Sequence, residues 1–200
     1  MAATAAQVKE LRDKTGAGMM DCKAALEESG GDIDKAVDLL RTKGLAQAAK
    51  RAGRVAKDGV IGHYIHMGGK VGVLIEVNCE TDFVARTDDF QTLARELAMH
   101  VAAADPRYVS REQVPAEALE KEKEIYRAQF AGSGKPPAVI DKIVEGKLGS
   151  FYSQVCLVDQ PSVRDPEVTV NQMLQAATAK TGENITVTRF VRFKLGETAE

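Results

Sequence analysis

Tryptophan is absent from this sequence, and aromatic residues together make up only 5% of it. The interior must therefore be filled mostly by aliphatic side chains. Cysteine is scarce too: Cys22, Cys79 and Cys156 stand far apart and form no CxxC pair. An odd, scattered set makes no disulfide framework. Small buried thiols in a reducing, cytoplasmic setting are expected instead. No apolar run approaches the ~20 residues that a membrane-spanning helix needs. The opening Met1-Ala2-Ala3-Thr4-Ala5 shows no basic region followed by an apolar core, so no secretory signal is expected. Nor is there an excess of one charge. Lys and Arg number 27 against 29 Asp and Glu, a net charge of −2, which argues against a dedicated nucleic-acid binder.

Catalytic signatures are missing as well. The sequence contains neither GxSxG nor GxxxxGK[ST]. Gly16-Ala17-Gly18 follows no strand and makes a poor phosphate loop. His63 and His66 are three apart in a strand-like run, so they face opposite ways and cannot share a metal. His100 reads as a helix-surface or partly buried residue. Glu76, Asn78, Glu80 and Asp82 would share one side of a straight strand, yet no histidine joins them, so neither a metal site nor a cofactor is expected. Cys79 beside Glu80 or Asp82 is the one enzymatic alternative, and it lacks an evident base.

What is present is the composition of a folded protein. Of 200 residues, 44% are apolar and 28% charged, which suits one large domain or two small ones. Residues 4–14 carry Val8 and Leu11 at helical spacing, and glycines 16 and 18 break that helix. A second helix is expected over 19–28, ending at Gly30-Gly31. Asp32 is a good cap for a third, in which Ile33, Ala36, Val37 and Leu40 line one face. Each is too short to stand alone, so a three-helix bundle is expected. Arg41, Lys43, Lys50, Arg51, Arg54 and Lys57 then mark a helical extension and linker, read as a solvated basic face rather than a nucleic-acid patch. Residues 60–67 and 70–79 form a hairpin turned by Gly68-Gly69. Asp88 and Gln91 are spaced as a capping box for a helix bearing Phe90, Leu93, Leu97 and Val101. Helices over about 115–131, with Pro115 at the start, 138–155 and about 170–181 follow, and residues 185–195 close the sequence as a strand. In that strand Ile185, Val187, Val191 and Phe193 share a face.

Two features point to docking rather than chemistry. Met19 and Met20 follow a glycine turn at a helix start. Adjacent helical residues point about 100° apart, so the pair either strains to fill one small core or serves an adaptable binding surface. The strand at 73–79 runs into Glu80-Thr81-Asp82, which is poor strand material. Phe83 and Val84 follow before the next helix can begin. From pattern alone, Phe83 is either tucked under its own domain or offered to a partner.

These same residues resemble a known family. Thr15-Gly16-Ala17-Gly18-Met19-Met20-Asp21-Cys22-Lys23 is similar to the N-terminal signature of bacterial translation elongation factor Ts. Glu76-Val77-Asn78-Cys79-Glu80-Thr81-Asp82-Phe83-Val84-Ala85 is similar to its second signature. Order and spacing agree along the whole sequence. It resembles the compact form found in Thermus-type bacteria, without room for a second half-core or a protruding helical hairpin.

The resemblance implies an α+β fold: an N-terminal three-helix bundle of the ubiquitin-associated type at 1–53, then a core over 54–200 with helices packed on a small antiparallel sheet. It implies no covalent chemistry. The expected role is cytoplasmic guanine-nucleotide exchange on elongation factor Tu, met in its GDP-bound and nucleotide-free forms. Met19, Met20 and Lys23 would contact Tu from the bundle. Thr81, Asp82, Phe83 and Val84 would enter beside the nucleotide and dislodge Mg²⁺. The compact form is also thought to form a homodimer through its C-terminal strand. Some members carry a cysteine there where this sequence has Val191, so strand pairing stays open and a disulfide does not.

Overall fold

In the computed structural model, which describes residues 3–197, three helices come first: α1 (Ala5–Thr15), α2 (Met19–Glu28) and α3 (Ile33–Arg51). Thr4 starts α1 with a complete capping box, its hydroxyl accepting from the Gln7 N–H while the Gln7 side chain accepts from the Thr4 N–H. Gly16 ends that helix at φ 67°, the left-handed conformation that glycine adopts without penalty. Asp32 caps α3 by accepting from the Lys35 N–H. Val8, Leu11, Cys22, Ala25, Leu26 and Ala36 make the bundle's core, with Ile33, Val37, Leu39 and Leu40 packed against it.

The hairpin follows as β1 (Asp58–Ile65) and β2 (Val71–Cys79), and β3 (Thr186–Lys194) completes an antiparallel sheet of order β1-β2-β3. Gly68 and Gly69 both take positive φ in the turn. Between β2 and β3 come α4 (Asp82–Ala85), α5 (Asp88–Ala104), α6 (Ala116–Gln129), α7 (Pro137–Val155) and α8 (Val170–Thr181). The architecture is α+β, with a helical N-terminus followed by a helix-and-sheet core. No described helix is long and apolar enough to cross a membrane.

The residues fall into two compact units. The first gathers Met1–Val60, Val77–Thr92 and Gln172–Thr186; the second gathers Ile61–Glu76, Leu93–Asn171 and Val187–Glu200. In the second unit Val73 and Ile75 bury the inner face of β2, and Leu97, Ala98 and Val101 are buried on α5. A Cβ on Gly62 would lie 3.0 Å from the Ala94 carbonyl oxygen, so strand and helix approach each other as closely as their backbones permit. The outer face is bare: Ile61, Ile65, Leu74, Val191 and Phe193 are all exposed. The shared apolar face expected along the last strand therefore splits, with Ile185 buried and Val191 and Phe193 turned to solvent.

Two local expectations need correcting. His100 is fully buried, not at a helix surface. Its Nδ1 accepts from the Val163 N–H at 3.3 Å, and its Nε2 meets the Gln160 side-chain oxygen at 2.9 Å. A neutral imidazole fits that pair of partners, and burial holds its pKa below the ordinary 6.5. The capping box at Asp88 and Gln91 does not form. Thr87 caps α5 through its hydroxyl to the Phe90 N–H, and the Gln91 amide donates to the Ala85 carbonyl.

Candidate functional site

The end of β2 is a stiff mount. Val77, Asn78 and Cys79 are all buried. Gly59 of β1 lies so close that a Cβ there would fall 2.1 Å from the Val77 carbonyl oxygen, and its φ of 144° disfavours any other residue. Asn78 donates its side-chain amide to the Asp58 carbonyl at 3.3 Å. The Cys79 thiol donates to the Thr81 carbonyl at 3.1 Å. Burial first, then the Glu183 and Asp58 carboxylates, push that thiol up to about 11. It is a packed hydrogen-bond donor, not a nucleophile.

Beyond Cys79 the backbone turns. Thr81 is extended and caps the single-turn helix α4, its hydroxyl facing the Val84 N–H at 3.5 Å. Phe83 therefore sits inside its own helical turn, where a non-helical turn is expected from sequence. Its neighbours are tied together. The Ala85 N–H donates to the Thr81 carbonyl and the Arg86 N–H to the Asp82 carbonyl. The Thr87 hydroxyl donates to the Val84 carbonyl at 2.8 Å. Arg86 pairs with the Asp82 carboxylate at 2.7 Å. On this fixed turn the Phe83 side chain stands 79% exposed, while Asp82 and Val84 flank it half-buried.

Two residues that the sequence reading missed complete the turn. The Glu183 carboxylate accepts from the Glu80 N–H and the Thr81 N–H, each at 3.0 Å, and from the Thr81 hydroxyl at 2.6 Å. Asn184 donates its N–H to the Glu80 carboxylate at 2.7 Å and its side-chain amide to the Arg54 carbonyl at 2.7 Å. No local signal marks them, because their partners lie more than a hundred residues away along the chain.

A second patch lies on α2. Its inward face is Cys22, Ala25 and Leu26, all buried. Met20 points away from that face; Met19, three residues before Cys22, lies on its flank in the open first turn of the helix, and the two are 74% and 59% exposed. Lys23 is exposed beside them, 3.9 Å from Glu27. The alternative in which both methionines fill the bundle core is excluded. Both patches belong to the first unit.

Among the described residues, no group of three or more His, Cys, Asp or Glu side chains could hold a metal. What the arrangement can do is insert: a bare aromatic beside a carboxylate on a pre-formed turn, and a flexible apolar pair on a helix end.

The sequence matches the family described as Elongation factor TS over residues 4–197. This chain belongs to the elongation factor Ts family. It is 59% identical to the elongation factor Ts of Geobacter sulfurreducens, over all of this chain and 93% of that protein. With the elongation factor Ts of Fervidobacterium nodosum it shares 60% identity, over 98% of this chain and all of the relative. Its identity to the elongation factor Ts of Carboxydothermus hydrogenoformans is 59%, over 97% of this chain and 89% of the relative. Family membership makes it a translation elongation factor and gives the two exposed patches a context. Both lie within the signature segments at 15–23 and 76–85.

Proposed function

We propose that this protein is the guanine-nucleotide exchange factor of elongation factor Tu. It binds Tu·GDP, displaces Mg²⁺ and releases GDP so that GTP can enter. The observation that carries this reading is Phe83, almost wholly exposed on a turn whose backbone is already ordered. A hydrophobic side chain held out by a rigid mount loses little entropy on docking. Its burial would contribute roughly 1.5–3 kcal/mol.

In this reading residues 1–53 dock on the nucleotide-binding domain of Tu through Met19, Met20 and Lys23. Thr81, Asp82, Phe83 and Val84 enter beside the nucleotide. Phe83 is the wedge, and Asp82 competes for the cation and phosphate environment. Thr81 and Val84 shape the turn. Linkage states the mechanism: if the factor weakens GDP binding by some ratio, GDP weakens the factor by the same ratio. A thousandfold effect needs about 4 kcal/mol, within reach of one buried Phe plus a disturbed metal site. No covalent step, cofactor or nucleic acid takes part, and the compartment is the cytoplasm.

Self-association through the C-terminal strand belongs to the same proposal. Among the described residues β3 pairs as a strand with β2 alone, so its other edge has no neighbouring strand, although the Gln113 amide donates to the Thr188 carbonyl. In the second unit Phe193 is 65% exposed beside exposed Val191. Light scattering over a dilution series tests for the dimer. The exchange reading is tested by fluorescent-GDP release from Tu: added protein accelerates it, and an unchanged rate would refute the reading.

A further inference from the structure

Strand pairing in β2 stops at Cys79, so the next two N–H groups need acceptors from elsewhere. Glu80 and Thr81 find both on one carboxylate, that of Glu183, which also takes the Thr81 hydroxyl proton. Three donors converging on one anion make charge-assisted bonds, stronger and more directional than neutral ones. The contact is reciprocal. The Glu80 carboxylate accepts the Asn184 N–H, and Arg54 lies 3.6 Å from the same oxygen. Glu183 is itself fixed. Gly182 ends α8 at φ 80°, and the Glu183 N–H donates to the Thr181 hydroxyl. The Ile185 N–H is held by the Thr178 hydroxyl at 3.2 Å. Residues 80–81 and 183–184 thus brace each other, all within the first unit.

We propose that Glu183 is a positioning residue for nucleotide exchange: its carboxylate fixes Glu80 and Thr81, and through the Thr81 cap it fixes the angle at which Phe83 is presented. The inference rests on the exchange reading above and deepens it. By donating to Glu183, the Thr81 hydroxyl turns its lone pairs toward the Val84 N–H, so the brace and the cap of α4 share one atom. A turn ordered beforehand can put its contacts into displacing GDP. A loose turn must first be ordered by the same contacts, which subtracts from the coupling between the two ligands. Glu183 touches neither methionine patch residue in this scheme, so initial docking is independent of it.

The test is fluorescent-GDP release from Tu, titrated with the full-length protein. Glu183→Ala is expected to lower the maximal release rate at least tenfold. The half-saturating concentration should stay within about twofold, because the bundle is untouched. Glu183→Gln keeps a carbonyl for the two N–H groups and an amide facing the Thr81 oxygen, and is expected to recover to within about threefold of wild type. Glu183→Asp withdraws the carboxylate by about 1.5 Å and is expected to fall between. It decides the matter if the alanine variant does not fold. Amide exchange of Glu80 and Thr81 should rise in the alanine and aspartate variants. A wild-type maximal rate in the aspartate or alanine variant overturns the proposal. So does a change confined to the half-saturating concentration, or amide protection of Glu80 and Thr81 that stays unchanged. If wild type itself fails to accelerate release, the exchange reading falls, and amide protection alone judges the brace.

Discussion

Arg86 holds the carboxylate of Asp82 at 2.7 Å, one helical turn along the strip that carries Phe83. Both side chains reach solvent, so the pair contributes little to stability, about 0.2–1 kcal/mol. The acid that the proposed docking would turn toward a partner's cation site is therefore partly neutralised by its own chain, and under that proposal the pair has to open on docking. Arg86→Ala is expected to leave the melting temperature within a few degrees and to raise the GDP-release rate by roughly 1.4–5-fold. A slower variant would mean that Arg86 itself contacts the partner.

Met19 and Met20 should set affinity rather than rate. Neither packs in the bundle core, so Met19→Ala with Met20→Ala is expected to unfold at nearly the wild-type denaturant concentration, within about 0.5 kcal/mol. In a GDP-release titration the half-saturating concentration should rise at least tenfold while the maximal rate holds. A fall in maximal rate alone would place the methionines in the exchange step instead.

Cys79 and Cys156 give the fold a defined response to alkali. Burial pushes each thiol from 9.0 up to about 11. The native state therefore keeps protons that the unfolded chain loses. The stability from keeping both thiols neutral is whole below pH 9 and is lost as pH rises through about 11. Urea midpoints at pH 8 and pH 10 should show that fall. Iodoacetamide at pH 8 should label the two thiols quickly only after unfolding. Rapid native labelling of Cys79 would revive the alternative of a thiol enzyme.

The legible parts of the structure are those set by nearby residues. The bounds of α2 follow from Gly18 and Gly30, and the stop of α8 follows from Gly182. Long-range partners were hidden. His100 looked exposable because nothing near it in sequence is polar enough to bury it; its acceptor Gln160 lies sixty residues on. The helical turn under Phe83 has no signature in the sequence, because Glu80 and Thr81 alone favour neither helix nor strand. Their N–H groups are settled by Glu183, 102 and 103 residues away. Asp88 and Gln91 had the right spacing for a cap, but Thr87 was one residue nearer the turn, and the Gln91 amide was needed at the Ala85 carbonyl. Only the exposure of Phe83 separates a wedge from a core residue, and exposure is a property of the whole fold.

That exposure is what a single substitution can test. Phe83 meets solvent over most of its surface, so Phe83→Ala should change unfolding stability by no more than about 0.5 kcal/mol. Losing its burial in the partner, roughly 1.5–3 kcal/mol, should slow Tu-bound GDP release at saturating factor by roughly 10–150-fold. The decisive measurement is that release rate for wild type and Phe83→Ala side by side, with melting curves taken on the same samples. A large drop with coincident melting is the predicted result. Equal release rates from two equally folded proteins would contradict the wedge.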